Sequence, residues 1–337
     1  MSQLITVGLP VFNGMPYLPE TIASLLAQTH EDFTLLVIDD GSTDGSLQYL
    51  KTIKDPRLQL HTQQNAGITS TLNRMLQIAR TPWLARHDAD DIAYPRRFER
   101  TVEFIRRYPS AGMFYSDADY YPMKKGQVKF RSTRGDPHKL REITRAGYLL
   151  AICHPSVTLN IQKARSVGGY RFDLHVEDVD LWWRMALDFD IHYIPEVLVG
   201  MRQNQASSSW RNLEPQAVNA LYAQYLLVAS LSNLAPRSHE EVYPLLFDML
   251  DRSKLELKRN LRAANFQFSQ ARHAQGLLSI ARAFFSSPAG FFARIHYGLF
   301  PQPNVRNGED PALLLARCGD RGIEAQWAWC RPALPNP

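Results

Sequence analysis

Thr34-Leu35-Leu36-Val37-Ile38-Asp39-Asp40-Gly41-Ser42-Thr43-Asp44-Gly45 begins as a β-branched apolar run and ends as an acidic turn punctuated by glycine. A short apolar run bounded by turn residues reads as a strand buried on both faces. The pattern over residues 45–54 reads as the helix that follows. Gly41 suits a tight turn and Asp44 suits a helix cap. Neither role accounts for the paired Asp39 and Asp40, because adjacent carboxylates at a sheet's carboxyl edge repel unless a donor or cation occupies the crevice beside them. The imide N–H of a pyrimidine is one suitable donor.

The same alternation extends in both directions. Strands are expected at residues 5–9, 34–38, 58–62 and 83–87, and helices at 19–28, 45–54, 68–79 and 95–108. Strands alternating with helices indicate β-α-β units and a mainly parallel sheet, an α/β fold. Each Asp-, Asn- or Gly-rich segment falls just after a strand, where open α/β sheets bind ligands. Farther along, a strand is expected at 157–160, a turn at Gly168-Gly169, a helix at 178–187 and strands around 191–201. Helical patterning dominates from residue 215 to about 285, and residues 301–337, rich in Pro, Gly and Arg, are expected to be an irregular tail.

The 337 residues are 45% hydrophobic and 21% charged, enough for a sizeable core, and carry a formal charge of +5. That sign suits a nucleotide or an anionic membrane surface as well as plain solubility; no nucleic-acid partner is expected. Cys153, Cys318 and Cys330 include no paired metal-ligand spacing, which fits a reducing compartment; Cys318 and Cys330 can pair in principle. Met1 leads directly into an apolar stretch with no basic region or cleavage site, and no segment reaches the roughly 20 apolar residues of a membrane-spanning helix. A cytoplasmic location is expected.

Three further segments carry chemistry. Asp88-Ala89-Asp90 follows a strand, and carboxylates so spaced can face one hard divalent cation bridging diphosphate oxygens, although acidic turns are common in any protein. Glu177-Asp178 starts the helix that continues as Leu181-Trp182-Trp183-Arg184; Asp178 shares a face with Leu181, Trp182 and Met185 and is a candidate general base, with simple helix capping as the alternative. A helix N-terminus lowers such a carboxyl's pKa, whereas burial against tryptophan raises it. Asp180 and Arg184 have the spacing of an ordinary ion pair. His154 in Cys153-His154-Pro155-Ser156 reads as a hydrogen-bonded group rather than a base. Gly168-Gly169-Tyr170 ends a helix in a left-handed turn, and Tyr170, Trp182 and Trp183 can stack on a sugar or pack in the core.

Taken in order, these segments resemble the family 2 glycosyltransferases. The resemblance covers about residues 4–205 through Val7-Gly8-Leu9-Pro10-Val11-Phe12-Asn13 with Glu20, Val37 to Asp44, Asn65-Ala66-Gly67, Ala85 to Asp91, and Val176 to Arg184. It implies a Rossmann-like type A glycosyltransferase fold spanning residues 1–210, with a nucleotide-binding half at 1–115 and an acceptor half at 116–210; the helical region expected at 211–300 lies outside the resemblance. It also implies inverting transfer of a sugar from a nucleoside-diphosphate donor, UDP or dTDP preferred, with Mn²⁺ or Mg²⁺. By this resemblance Pro10, Phe12, Asn13, Glu20, Asp39, Asp40, Asn65, Gly67, Asp88 and Ala89 bind the nucleotide sugar, with Asp40 reading the base. Asp90 with Asp88 holds the metal, Asp178 is the base with Glu177 as the alternative, and His154, Gly169, Tyr170 and Trp182 line the acceptor side.

Many relatives carry a histidine after the last strand, where Met201-Arg202-Gln203-Asn204-Gln205 stands here; Arg202 can supply charge to phosphate oxygens instead. Family roles imply a lipopolysaccharide, capsule or other surface-glycan acceptor, free or lipid-linked. The basic, amphipathic pattern beyond residue 250 suits peripheral contact with an anionic leaflet or packing on the core. Two other readings are a metal-dependent nucleotidyltransferase, for which no Gly-rich basic triphosphate signature is present, and a nucleotide-sugar-binding protein without turnover.

Overall fold

The computed structural model describes residues 3–122, 130, 132–204, 208–299 and 308–319. Its eight strands are β1 (Ile5–Val11), β2 (Phe33–Asp39), β3 (Leu58–Thr62), β4 (Trp83–Arg86), β5 (Ile92–Ala93), β6 (Met113–Tyr121), β7 (Thr158–Asn160) and β8 (Ile191–Arg202). They form one sheet in the order β3-β2-β1-β4-β7-β6-β8-β5. The first four are parallel, β7 runs antiparallel to both neighbours, β6 and β8 are parallel, and β5 closes the edge antiparallel to β8. Every residue of β1 is buried, as expected for a central strand covered on both sides.

The helices on the sheet are α1 (Leu18–Leu26), α2 (Ser46–Thr52), α3 (Ile68–Ile78), α4 (Arg97–Arg107), α5 (Pro137–Arg145), α6 (Ile161–Ser166) and α7 (Glu177–Asp188). Two apolar layers result. One packs Leu18, Ile22, Leu25, Phe98 and Val102 against β1 and β2; the other packs Leu72, Met75, Leu181, Trp182 and Met185 on the opposite face. Gly8 permits the close approach of α3, since a Cβ there would lie 3.0 Å from both Met75 Sδ and Leu84 Cδ1.

Beyond the sheet come α8 (Ser208–Arg211), α9 (Leu213–Leu231), α10 (His239–Asp248), α11 (Arg252–Ser269), α12 (His273–Ser286), α13 (Pro288–Leu299) and α14 (Pro311–Arg317). Helix α9 buries Leu221, Tyr225 and Leu227 with Trp183 of α7, fastening the helical region to the sheet. The tail expected to be irregular contains α14, whose Leu314 and Leu315 are buried in that cluster; apolar burial, not propensity, orders this segment. Residues 301–307 and 320–337, with Cys330 and any pairing it makes, lie outside the described residues. No described helix is long and apolar enough to cross a membrane.

Strands β5 and β6 and helix α5 appear in addition to the elements expected from sequence. Asp117 and Asp119 interrupt the apolar pattern of β6, but each finds distant partners: Arg134 and Tyr193 for Asp117, Tyr94 for Asp119.

Candidate active site

The carboxyl ends of β1 and β2 carry two loops joined by hydrogen bonds. Asn13 N donates to Ser42 Oγ (3.0 Å), Thr43 N to Asn13 Oδ1 (2.8 Å), Gly14 N to Ser46 Oγ (2.9 Å) and Met15 N to Asp44 Oδ2 (2.8 Å). Asp44 also accepts from Ser46 N, while Gly45, at φ 92°, occupies the cap position itself. Phe12 projects from this wall, 52% exposed, with its ring open to a ligand.

Asp40 acts as a clasp. Its carboxylate accepts from Gln63 Nε2 (2.6 Å), Ala66 N (2.9 Å) and Gly67 N (3.0 Å), drawing the Asn65-Ala66-Gly67 loop against the end of β2. Asp39 accepts from Ser42 N at 3.2 Å through Oδ2, and its buried Oδ1 has no partner. Gly67 has φ +83°, and a Cβ there would lie 2.9 Å from Asp173 Oδ2. Two features bind the neighbouring loop to α3: Thr69 Oγ1 donates to Phe172 O, and Asn73 exchanges hydrogen bonds with the backbone of Tyr170. Gly168 and Gly169, at φ +90° and +63°, form the left-handed turn that makes this exchange possible.

Asp88, Ala89 and Asp90 follow β4. Burial, then the charge of Asp88, pushes Asp90 up to about 6, while burial with Asp90 and Asp88 drives Asp91 well above the carboxylate range. The guanidinium of Arg86 is buried and ion-paired with Asp88, and its field reaches Asp90, Glu177 and Asp178. Sequence reasoning missed Arg86; the available signal was a lone cation within the apolar Trp83-Leu84-Ala85 strand. Arg202 donates from Nε to Asp90 O (2.8 Å) and from its backbone N to Asp91 Oδ1 (2.8 Å). Its guanidinium also meets Glu20 and lies over the rings of Tyr17 and Tyr121. Glu20 therefore holds Arg202 and Tyr121 here, accepting from Tyr121 Oη at 2.6 Å.

Asp90, whose ionisation is made costly by burial and the charge of Asp88, stands with Asp88 as a pair of hard oxygen donors of the kind that suits Mg²⁺ or Mn²⁺, which bind through one or two carboxylates plus substrate phosphate oxygens. No group of three or more His, Cys, Asp or Glu side chains poised for a metal exists among the described residues.

Helix α7 begins at Glu177, placing Asp178 in its first turn with its side chain 22% exposed. Burial prevails over the backbone N–H groups and Arg86, and the Asp178 carboxyl is pushed up to about 6. Burial and Asp178 push Glu177 up to about 8. His154 Nδ1 stands 3.9 Å from Asp178 Oδ2, while Nε2 meets Tyr170 Oη at 3.2 Å. Burial and Arg86 hold His154 well below its ordinary pKa, so Asp178 faces a neutral ring. Asp180 is committed elsewhere, to Arg171 and Arg184.

The acceptor-side expectation for Trp182 is corrected. Its indole is fully buried in the sheet's second apolar layer and abuts His154 edge-on at 5.4 Å, so it supports the wall and has no face for a sugar. Tyr170 is nearly buried, and Gly169 serves the turn.

Residues 6–165 match the family model described as Glycosyl transferase family 2. Among relatives, the putative glycosyltransferase EpsE of Bacillus subtilis is 26% identical over 231 residues, covering 64% of this chain and 79% of EpsE. An uncharacterized glycosyltransferase of Rickettsia felis is 24% identical over 230 residues, covering 66% of this chain but 38% of that longer protein. In fold, the chain resembles Staphylococcus aureus TarS 1-349 in complex with UDP-GlcNAc (TM-score 0.56, 15% identity, 94% and 88% of the two chains). It also resembles the mannosyltransferase PcManGT of Pyrobaculum calidifontis in complex with GDP-Man and Mn²⁺ (TM-score 0.51, 17% identity, 97% and 84%). With the loops at the strand ends arranged as described, residues 6–165 of the chain are similar to glycosyl transferase family 2.

Proposed function

We propose that the protein transfers a sugar from a nucleoside-diphosphate donor, UDP or dTDP in preference, to an acceptor hydroxyl with inversion at the anomeric carbon. The observation that carries this reading is the place of Asp178: a half-buried carboxyl in the first turn of α7, 3.9 Å from the ring of His154 at the crevice where the acidic loop also ends, with burial pushing it up to about 6. A base with a pKa near the working pH is ionised and still able to accept a proton.

Asp178 removes the proton of the acceptor hydroxyl as that oxygen bonds to the anomeric carbon. The bond from that carbon to the diphosphate oxygen breaks on the opposite face, and its electron pair leaves with the nucleoside diphosphate. One displacement inverts the centre and requires no enzyme nucleophile. Asp90 with Asp88 would hold a divalent cation, which would supply positive charge for the departing diphosphate. Phe12, Asn13, Asp39, Asp40 and the Asn65–Gly67 loop form the nucleotide wall, and His154 positions Asp178.

The acceptor belongs to surface-glycan synthesis, and the protein works at the cytoplasmic face of the membrane. Supporting this, Leu277, Leu278, Phe285, Phe292 and Ile295 are exposed on α12 and α13, and residues 257–308 contain no Asp or Glu. Apolar side chains among cations suit an anionic leaflet.

The test is a panel of nucleotide sugars with Mn²⁺ or Mg²⁺ and glycan extracts, read by nucleoside-diphosphate release and by NMR of the product's anomeric centre. Retention of configuration, or pyrophosphate release from a nucleoside triphosphate, overturns the reading.

A further inference from the structure

The peptide units on either side of Asp90 are both held from outside their loop. Before it, the buried Thr21 of α1 donates Oγ1 to the Ala89 carbonyl (3.1 Å). After it, Arg202 at the end of β8 donates Nε to the Asp90 carbonyl and its main-chain N to Asp91 Oδ1, both at 2.8 Å. Each peptide unit is planar, so fixing both planes fixes the two backbone dihedrals of Asp90 and the direction in which its side chain leaves. Arg202 is itself held. Its guanidinium lies over the rings of Tyr17 and Tyr121, 4.7 and 5.0 Å from their centroids, and Nη2 meets Glu20 Oε2 at 2.5 Å. The other oxygen of Glu20 accepts from Tyr121 Oη at 2.6 Å, and Tyr121 stands opposite Arg202 in the register of β6 and β8. The arginine side chain is 12% exposed.

Supplying charge to a phosphate requires only a cation, and an ammonium does it as a point charge. This arrangement uses the plane of the guanidinium: N–H donors aimed in two directions, at Asp90 and at Glu20, and flat faces against aromatic rings. We propose that Arg202 is a positioning residue of the metal loop, holding the Asp90 carbonyl so that Asp88 and Asp90 are set for a divalent cation, and that it does not bind the donor diphosphate. This rests on the glycosyl-transfer reading above and names the residue on which its metal depends.

The experiment compares the wild-type chain with Arg202→Gln, Arg202→Lys and Tyr17→Leu. UDP binding is measured by calorimetry in EDTA and across a series of Mn²⁺ concentrations, and the Mn²⁺ concentration that half-restores full UDP affinity reports the metal site without turnover. Both Arg202 variants should need about tenfold more Mn²⁺ or beyond, the usual effect of removing a group that orients a metal ligand, with UDP affinity in EDTA unchanged. Tyr17→Leu, which removes one ring and leaves the arginine, should need about threefold more. A Lys variant equal to wild type overturns the proposal, because charge alone then suffices. Loss of UDP affinity in EDTA also overturns it, assigning Arg202 to the diphosphate. If the Arg202 variants do not fold, Tyr17→Leu decides alone, and a Mn²⁺ requirement within about twofold of wild type overturns the proposal. Wild-type UDP affinity indifferent to Mn²⁺ overturns it too, while Asp178-dependent turnover in EDTA would leave sugar transfer standing. Normal Mn²⁺ behaviour without turnover of any donor sinks the transfer reading alone, so the two fail separately.

Discussion

Replacing Asp178 by Asn should separate stability from activity in opposite directions. The carboxyl rises from an ordinary 3.8 to about 6 because ionisation in the crevice loses water. At roughly 1.4 kcal/mol per pKa unit, this corresponds to about 3 kcal/mol against the ionised native state. The native protein holds a proton between pH 3.8 and 6 that the unfolded chain has released, so stability falls as pH rises through that window and the whole cost is present above it. Asn is isosteric and uncharged. With the side chain still 22% exposed and Glu177 alongside, a net gain of about 1–2 kcal/mol is expected at neutral pH. The gain should shrink toward zero as the pH is lowered below 4, where Asp178 is protonated in both states. Turnover should fall by about a hundredfold to ten-thousandfold, the usual worth of a positioned base. Urea unfolding across pH and donor-dependent nucleoside-diphosphate release measure the two effects. An Asn variant that retains turnover within about threefold, or is less stable than wild type at neutral pH, refutes the assignment of Asp178 as a half-buried, ionised base.

Other perturbations have equally definite outcomes. In wild type, kcat/KM should fall as pH drops through about 6, as Asp178 gains its proton, with initial rates at saturating metal as the measurement. Asp90→Asn should lower metal-stimulated turnover by about a hundredfold or more, read from an Mn²⁺ titration of nucleoside-diphosphate release. Gly67→Ala, placing a Cβ at φ +83° against Asp173, should destabilise the fold by about 1–3 kcal/mol in urea and raise the donor KM. Trp182→Phe should cost about 1–2 kcal/mol of stability while leaving the acceptor KM near wild type, since the indole offers no surface to a sugar.

The parallel half of the sheet was legible because its strands are continuous apolar runs closed by turn residues, as at Val37-Ile38-Asp39-Asp40-Gly41. The acidic segments were legible for the same reason, since each follows such a run. Strand β6 was not: its Asp117 and Asp119 look incompatible with a buried strand until Arg134, Tyr193 and Tyr94 arrive from elsewhere in the chain. Arg86 was obscured likewise, because its importance comes from lying among its neighbour Asp88 and the pair Glu177 and Asp178, which is far along the chain. Trp182 showed the converse limit. Helical spacing gave its face, but only packing reveals that the face is filled by His154 and the apolar layer.

The reciprocal hydrogen bonds between Asn73 and Tyr170 join positions 97 residues apart, one on α3 and one on the loop that leads to α7. A chimera that takes its first segment from one relative and its later segment from another divides this pair between parents. Recombination will therefore succeed at crossover points that inherit the amide at 73 together with the glycine turn at 168–169, and elsewhere will need position 73 rebuilt to match the incoming loop.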